Sequence, residues 1–288
     1  MAKTRQLTLP VTARRADYGL GSIFFVGTAT VIIRYAGWTI LTDPNFLHQG
    51  DHVHLGYGLT SKRRTDPAIE IEELPELDLI LLSHLHEDHF DRVAEEKLDH
   101  SIPIVSTRHA AKSLKRKGFT ATYGLKTWET LTVTKGENTL RISSMPGHHA
   151  PGVLRRLLPP VMGSMLEFQS GTTNTVMKMY ITGDTLMYDE LKEIPRRYPE
   201  IDLALLHLGG TRVLGLMVTM DGKQGVEMVK LIDPTIAIPI HYNDYTVFKS
   251  PLEDFQSEVR AAGLEHVVRY LRHGETYTFK VPKSRVRG

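Results

Sequence analysis

Residues 84–89 read His-Leu-His-Glu-Asp-His, directly after the apolar run Leu79-Ile80-Leu81-Leu82-Ser83. The run reads as a buried strand, so the fold must deliver three imidazoles and a carboxylate to one loop at its C-terminal end. Imidazole and carboxylate bind Zn²⁺, Mn²⁺ or Fe²⁺ without thiolate, and the chain has no cysteine. In an extended or turning segment, residues two apart point the same way. His84 and His86 can therefore grip one ion while Asp88 and His89, past the turn, face another. A dinuclear hydrolytic centre needs further ligands, ideally including a carboxylate that bridges ions about 3.5–4 Å apart.

The rest of the chain offers them at strand ends. Leu140–Met145 reads as a strand that runs into Pro146-Gly147-His148-His149. Met177–Thr182 runs into Gly183-Asp184-Thr185, where glycine permits a tight turn. Thr235–Ile240 ends at His241. Any one of these alone reads as a cap or a satisfied polar residue. Four strand ends with metal-type ligands argue for one centre, because sites in α/β and sandwich folds collect at the C-terminal edges of strands.

This ordered set, His-x-His-x-Asp-His, then His, then Gly-Asp-Thr, then His, resembles the metallo-β-lactamase fold superfamily of metal-dependent hydrolases. Three flanking segments narrow the resemblance: Phe25-Val26-Gly27-Thr28-Ala29-Thr30, Ile40-Leu41-Thr42-Asp43-Pro44 and Leu74-Pro75-Glu76-Leu77-Asp78. They are similar to the branch with the N-acyl-phosphatidylethanolamine phospholipase D-like and ascorbate-6-phosphate lactonase-like enzymes. The likeness covers about residues 22 to 280. It implies an α/β chain folded as a four-layer αββα sandwich, two mixed β-sheets flanked by helices. It further implies that His84, His86 and His149 hold one divalent ion and Asp88, His89 and His241 a second, with Asp184 bridging. Zinc is the expected metal, with manganese or iron as alternatives. His149 is taken over His148 on its Pro-x-x-His spacing from Pro146, which leaves His148 as an outer partner. Asp43 is expected to hold a ligand histidine by its other ring nitrogen. The chain departs from related sequences at Thr28 and near Thr219, where those often carry histidine, and this weakens a phosphodiesterase reading.

With 288 residues, 41% of them hydrophobic, the chain can bury a large core as one domain spanning 1–288, residues 1–20 being an N-terminal extension. The basic stretch Met1–Arg15 lacks an apolar core of signal-peptide length and reads as a solvated tail. A net charge of +2 gives no reason to expect nucleic acid. No apolar stretch is long enough for a membrane span. The expectation is a cytoplasmic protein with a small-molecule substrate, and a homo-oligomer is left open.

Strands are expected over Ser22–Val26, Thr30–Tyr35, Thr39–Thr42, Leu79–Leu82, Pro103–Val105, Leu131–Val133, Leu140–Ser143, Met177–Ile181, Leu203–Leu206 and Ile236–Ile240. Helices are expected around Phe90–Leu98, His109–Lys117, Gly222–Ile232 and Leu252–Ala262. Two long stretches, Phe46–Glu73 and Gly152–Thr173, read as irregular and lie next to expected ligands. Arg155 and Arg156 in the second, and Arg63 and Arg64 in the first, are candidates to contact an anionic substrate. His48, His52 and His54 read as loop polar residues.

The expected chemistry is attack by a metal-bridging hydroxide on a small ester, lactone, amide or phosphoester, with Asp88 both a ligand and the catalytic carboxylate that steadies the nucleophile. No Ser-His-Asp or Cys-His constellation and no phosphate-binding glycine loop competes. One alternative is a nuclease or phosphodiesterase of the same fold, which would want a broad basic groove. The other is a non-catalytic metal-binding or redox protein. His86 stands where an oxygen-reducing di-iron relative is expected to carry glutamate.

Overall fold

Neighbouring residues along the central strands face different cores. In Leu20–Gly27, Ile23 and Phe25 enter one buried cluster while Phe24 and Val26 enter another. Leu79 and Leu81 divide from Ile80 in the same way, and Leu203 and Leu205 from Ala204 and Leu206. A strand covered on both faces must be apolar throughout, which is why these segments read as continuous apolar runs.

The computed structural model describes residues 5–11, 16–56, 58, 60–150, 152, 158–170, 174–213 and 215–281. Two seven-stranded sheets pack face to face. The first runs, in spatial order, Arg5–Leu9, Thr130–Lys135, Asn138–Met145, Gly163–Ser170, Asn174–Ile181, Leu203–His207 and Ile236–Ile240. The second runs Thr276–Lys280, Leu20–Gly27, Thr30–Tyr35, Trp38–Thr42, Leu79–Leu81, Ile104–Thr107 and Thr122–Leu125. Each mixes antiparallel and parallel pairs.

The inter-sheet core holds Ile33, Tyr35, Ile40, Leu166, Phe168 and Leu205 among others. Phe168 of the first sheet meets Tyr35 of the second edge to face, with ring centroids 5.0 Å apart. Helices Gly222–Ile232 and Leu252–Ala262 cover the outer face of the first sheet through Val226, Val229, Phe255 and Val259. Helices Arg92–Lys97 and Arg108–Arg116 cover the second through Ala94, Ala110 and Leu114. The result is an αββα sandwich. Asp91 and Thr107 start the two helices on the second sheet, each side chain accepting from the backbone N–H three residues on. No helix among the described residues is long and apolar enough to cross a membrane.

All ten expected strands and four expected helices form, with small shifts at their ends. Two expectations fail. Arg5–Leu9, within the stretch read as a solvated tail, pairs in parallel with Thr130–Lys135 as an edge strand. The stretch Gly152–Thr173, read as irregular, contains the full-length strand Gly163–Ser170, paired on both sides. Phe46–Glu73 also carries some regular structure, a short hairpin of His52–His54 and Thr60–Lys62.

Phe168→Ala should destabilise the fold by about 3–5 kcal/mol, because the cavity would lie between two rigid sheets. Urea unfolding followed by circular dichroism measures this; a loss below about 1 kcal/mol would show that the sheets collapse onto the gap.

Candidate metal centre

Six strand C-termini converge at one edge of the sandwich. The second sheet brings Asp43, after Trp38–Thr42, and the loop 84–89, after Leu79–Leu81. The first sheet brings His148 and His149, Asp184, His207 and His241, each at or just past the end of a strand. Local chemistry fixes the turns. Gly183 has φ +62°, and a Cβ there would lie 2.6 Å from the Met162 carbonyl oxygen. Thr28, Asp43 and His241 adopt positive φ without being glycine. Such residues cost about 1–3 kcal/mol each and persist only where the surroundings fix them. Here the His241 N–H donates to Thr28 O at 2.6 Å, and the Thr28 N–H to Asp244 Oδ2 at 2.6 Å.

The expected ligands come together. Ligand atoms of His84, His86 and His149 lie within 4.8 Å of one another, as do those of Asp88, His89 and His241, and of His84, His89 and Asp184. Asp184 is central: Oδ2 is 3.3 Å from His89 Nε2 and 3.8 Å from His149 Nδ1, and Oδ1 is 3.6 Å from His241 Nδ1. Backbone carbonyls set two tautomers. His149 Nδ1–H donates to Val218 O and His241 Nδ1–H to Leu208 O, both at 3.0 Å, which leaves each Nε2 free of the backbone.

Burial and neighbouring imidazoles push His84 well below the ordinary histidine range. Burial, reinforced by His149, takes His86 down to about 3. Burial also lowers His149, so this group of three is neutral, the form that binds metal. Burial opposes charge on His89 as well, but the Asp184 and Asp88 carboxylates outweigh it and hold His89 well above its ordinary value. His241 is raised on the same balance, Asp184 contributing most against burial. Asp184 is itself held well below the carboxylate range, since His241 and His89 overcome its burial.

Asp88 Oδ1, Asp184 Oδ1, His89 Nε2 and His241 Nε2 are buried without a hydrogen-bond partner. Four buried polar atoms left unpartnered in one cluster are costly unless a cation meets them. Oxygen and imidazole nitrogen in this arrangement suit a divalent ion of the zinc, manganese or iron type.

His148 lies apart from these groups, its ring stacked on Tyr188 at 3.6 Å between centroids. Asp43 Oδ2 lies 3.4 Å from His89 Nδ1. Arg64 is exposed and lines none of the cavities described below. Arg155 and Arg156 lie outside the described residues. Arg63, offered with Arg64 as a substrate contact, is fully buried instead. It donates to Asn45 Oδ1, Tyr245 Oη and Thr65 O, and the Asn45 amide donates to Glu87 O within the histidine loop. His48 pairs with Glu70 at 2.9 Å, and His52 and His54 are exposed on the hairpin.

Two residues escaped the sequence reading. Thr219, noted only as a departure, donates its hydroxyl to Asp184 Oδ2 at 3.1 Å. His207 is fully buried beside Asp43. Its segment, Leu203-Ala204-Leu205-Leu206-His207-Leu208-Gly209, repeats the pattern of an apolar run closed by histidine, which would have revealed it.

Two cavities flank the cluster. One of about 320 Å³ opens beside His86, lined by His54, Leu55, Leu85, Phe90 and Pro159. The cations on its rim are paired, Arg92 to Asp51 at 2.7 Å and Lys117 to Glu95 at 2.6 Å. The other, about 410 Å³, opens beside His149 and is lined by Thr127, His148, Pro159, Val161 and Tyr188.

His149→Ala should cost more metal affinity than the roughly 10–100-fold typical of an outer partner, whereas His148→Ala should cost less than tenfold. Elemental analysis after titration with Zn²⁺ measures both; the reverse order would reassign the ligand.

The model for a beta-lactamase superfamily domain matches residues 39–242. A metal-dependent hydrolase of Nanoarchaeum equitans is 26% identical over 215 residues, 75% of this chain and 93% of that protein. The Bacillus subtilis protein YddR, of the same UPF0173 group, is 28% identical over 268 residues, 88% of this chain and 98% of its own. Among solved structures, an isothiocyanate hydrolase from Delia radicum gut bacteria superposes with a TM-score of 0.76 at 19% identity, covering 90% of this chain and all of that one. Two packed sheets, strand ends that carry clustered His and Asp, and a matched segment from Thr39 to Tyr242 agree, and the chain belongs to the beta-lactamase superfamily.

Proposed function

We propose that this metal-dependent hydrolase cleaves a small ester, lactone, amide or phosphoester at a centre of two divalent ions, with zinc the first choice. His84, His86 and His149 would hold one ion and Asp88, His89 and His241 the other. The observation that carries this reading is the place of Asp184, whose carboxylate lies within 4.8 Å of ligand atoms of His84 from the first group and His89 from the second. A carboxylate so shared is what a bridging ligand requires. When bound, the ions would supply an acidified water and a Lewis acid for the scissile carbonyl or phosphoryl oxygen.

The protein's own groups do the rest. The Val218 and Leu208 carbonyls orient His149 and His241, and the Thr219 hydroxyl orients Asp184. Asp88 Oδ1, buried and without a hydrogen-bond partner, is free to accept a proton from the attacking water. Oδ2 of the same residue lies 3.5 Å from His241 Nε2. Phe90, Leu85 and Leu55 on one side and Val161 and Pro160 on the other present apolar walls to the substrate and exclude bulk water. Both cavities are of a size for a small molecule, which favours this reading over a nuclease.

A panel of ester, lactone, β-lactam, phosphodiester and isothiocyanate substrates, run on protein loaded with Zn²⁺ or Mn²⁺, identifies the substrate. On the active compound, Asp184→Ala should lower kcat by at least about 10³-fold, while the far-ultraviolet circular dichroism stays close to that of the parent. Turnover retained with metal bound would show that Asp184 is not the shared ligand.

A further inference from the structure

His207 belongs to none of the ligand groups above, yet it is fully buried beside them. Its Nε2 lies 3.2 Å from Asp43 Oδ2, the same oxygen that lies 3.4 Å from His89 Nδ1. The other oxygen, Asp43 Oδ1, accepts from the Ser83 N–H at 2.7 Å. The His207 ring stacks nearly parallel to the His89 ring, 5.9 Å between centroids and 11° between planes. Its tautomer is set by the carboxylate. Asp43 Oδ2 can only accept, so His207 Nε2 carries the proton and donates to it. Nδ1 faces the Thr182 hydroxyl 3.4 Å away, and that oxygen also accepts from the His207 N–H at 2.9 Å.

We infer that His207 is a positioning residue: by anchoring Asp43 Oδ2 it aims His89 and so fixes the strength of one of the two metal sites. The inference rests on His89 being a ligand, as proposed above. Asp43 needs such an anchor. It sits at φ +35° past the end of its strand, and its carboxylate reaches between two sheets. Ser83 holds one oxygen; without His207 the other would be held by His89 alone, and the imidazole would steer the carboxylate as much as the reverse. A ligand histidine whose far nitrogen is loosely held binds metal more weakly, by about 10–100-fold when its partner is lost.

The trio Asp43, His89 and His207 also lies close enough to hold an ion of its own. That use would demand both ring nitrogens of His89 as lone pairs, because Nε2 already faces Asp184 and Asp88. A third ion is therefore an outcome against the inference.

The test uses full-length protein, stripped with chelator and titrated with Zn²⁺ by calorimetry, with the metal retained measured by elemental analysis. The parent should take up two ions. His207→Leu should keep one ion at parental affinity and weaken the other by about tenfold or more. His207→Gln, whose amide N–H stands where Nε2 stood, should restore most of the loss. His207→Asn, whose amide reproduces the Nδ1 side only, should behave like leucine and replaces it if the leucine variant does not fold. On an Asp43→Asn background, His207→Leu should add nothing, as expected of residues acting in series. Equal weakening of both ions, failure of glutamine to rescue, or unchanged affinities with two ions in the parent would overturn the role of His207 alone. A third ion lost with His207 would make it a ligand instead. Fewer than two ions in the parent would overturn the dinuclear reading and this inference together.

Discussion

Everything at the ligand edge depends on the burial of two carboxylates, Asp184 and Asp88, among imidazoles. Taking these groups from water costs several kcal/mol per ion, and the cost is recovered only if opposite charge and hydrogen bonds meet them at fixed distances. The two sheets supply the fixity. Asp184 is held by Thr219 on one side and lies against His89, His149 and His241 on the others. The strained backbone at Thr28, Asp43 and His241 belongs to the same requirement, since relaxed turns would point those groups elsewhere.

The fold was readable from sequence where both faces of a strand are covered. Leu79–Leu81 and Ile236–Ile240 are apolar throughout because one face meets the other sheet and one meets helices. Edge and late strands were not readable for the opposite reason. Arg5–Leu9 is half exposed, so its polar residues looked like a tail. Gly163–Ser170 follows a Pro-Pro pair and contains Glu167 and Gln169, both buried. Their polarity broke the apolar pattern that a central strand usually shows.

The centre was readable to a greater extent, because histidine and aspartate at the ends of apolar runs are chemically conspicuous. The exceptions are instructive. His207 closes an apolar run as plainly as His241 does. Arg63 and Arg64 are adjacent and alike in sequence, yet one is exposed and the other is buried under the Tyr245 ring, 5.2 Å from its centroid to the guanidinium carbon. Local sequence carries no information about which of two neighbouring arginines turns inward. That choice is made by Asn45 and Tyr245, one before and one far after, which meet Arg63 only in the folded chain.

The proposed ligand set divides between the two halves of the sandwich: the loop 84–89 hangs from one sheet, and His149, Asp184 and His241 from the other. A cation gripped from both sides would be a clasp across the seam. Its binding energy would add to the force that keeps the layers closed, so the proposed centre and the resistance of the molecule to opening would be thermodynamically one property. Prying the layers apart at this edge and emptying the centre would then be the same event.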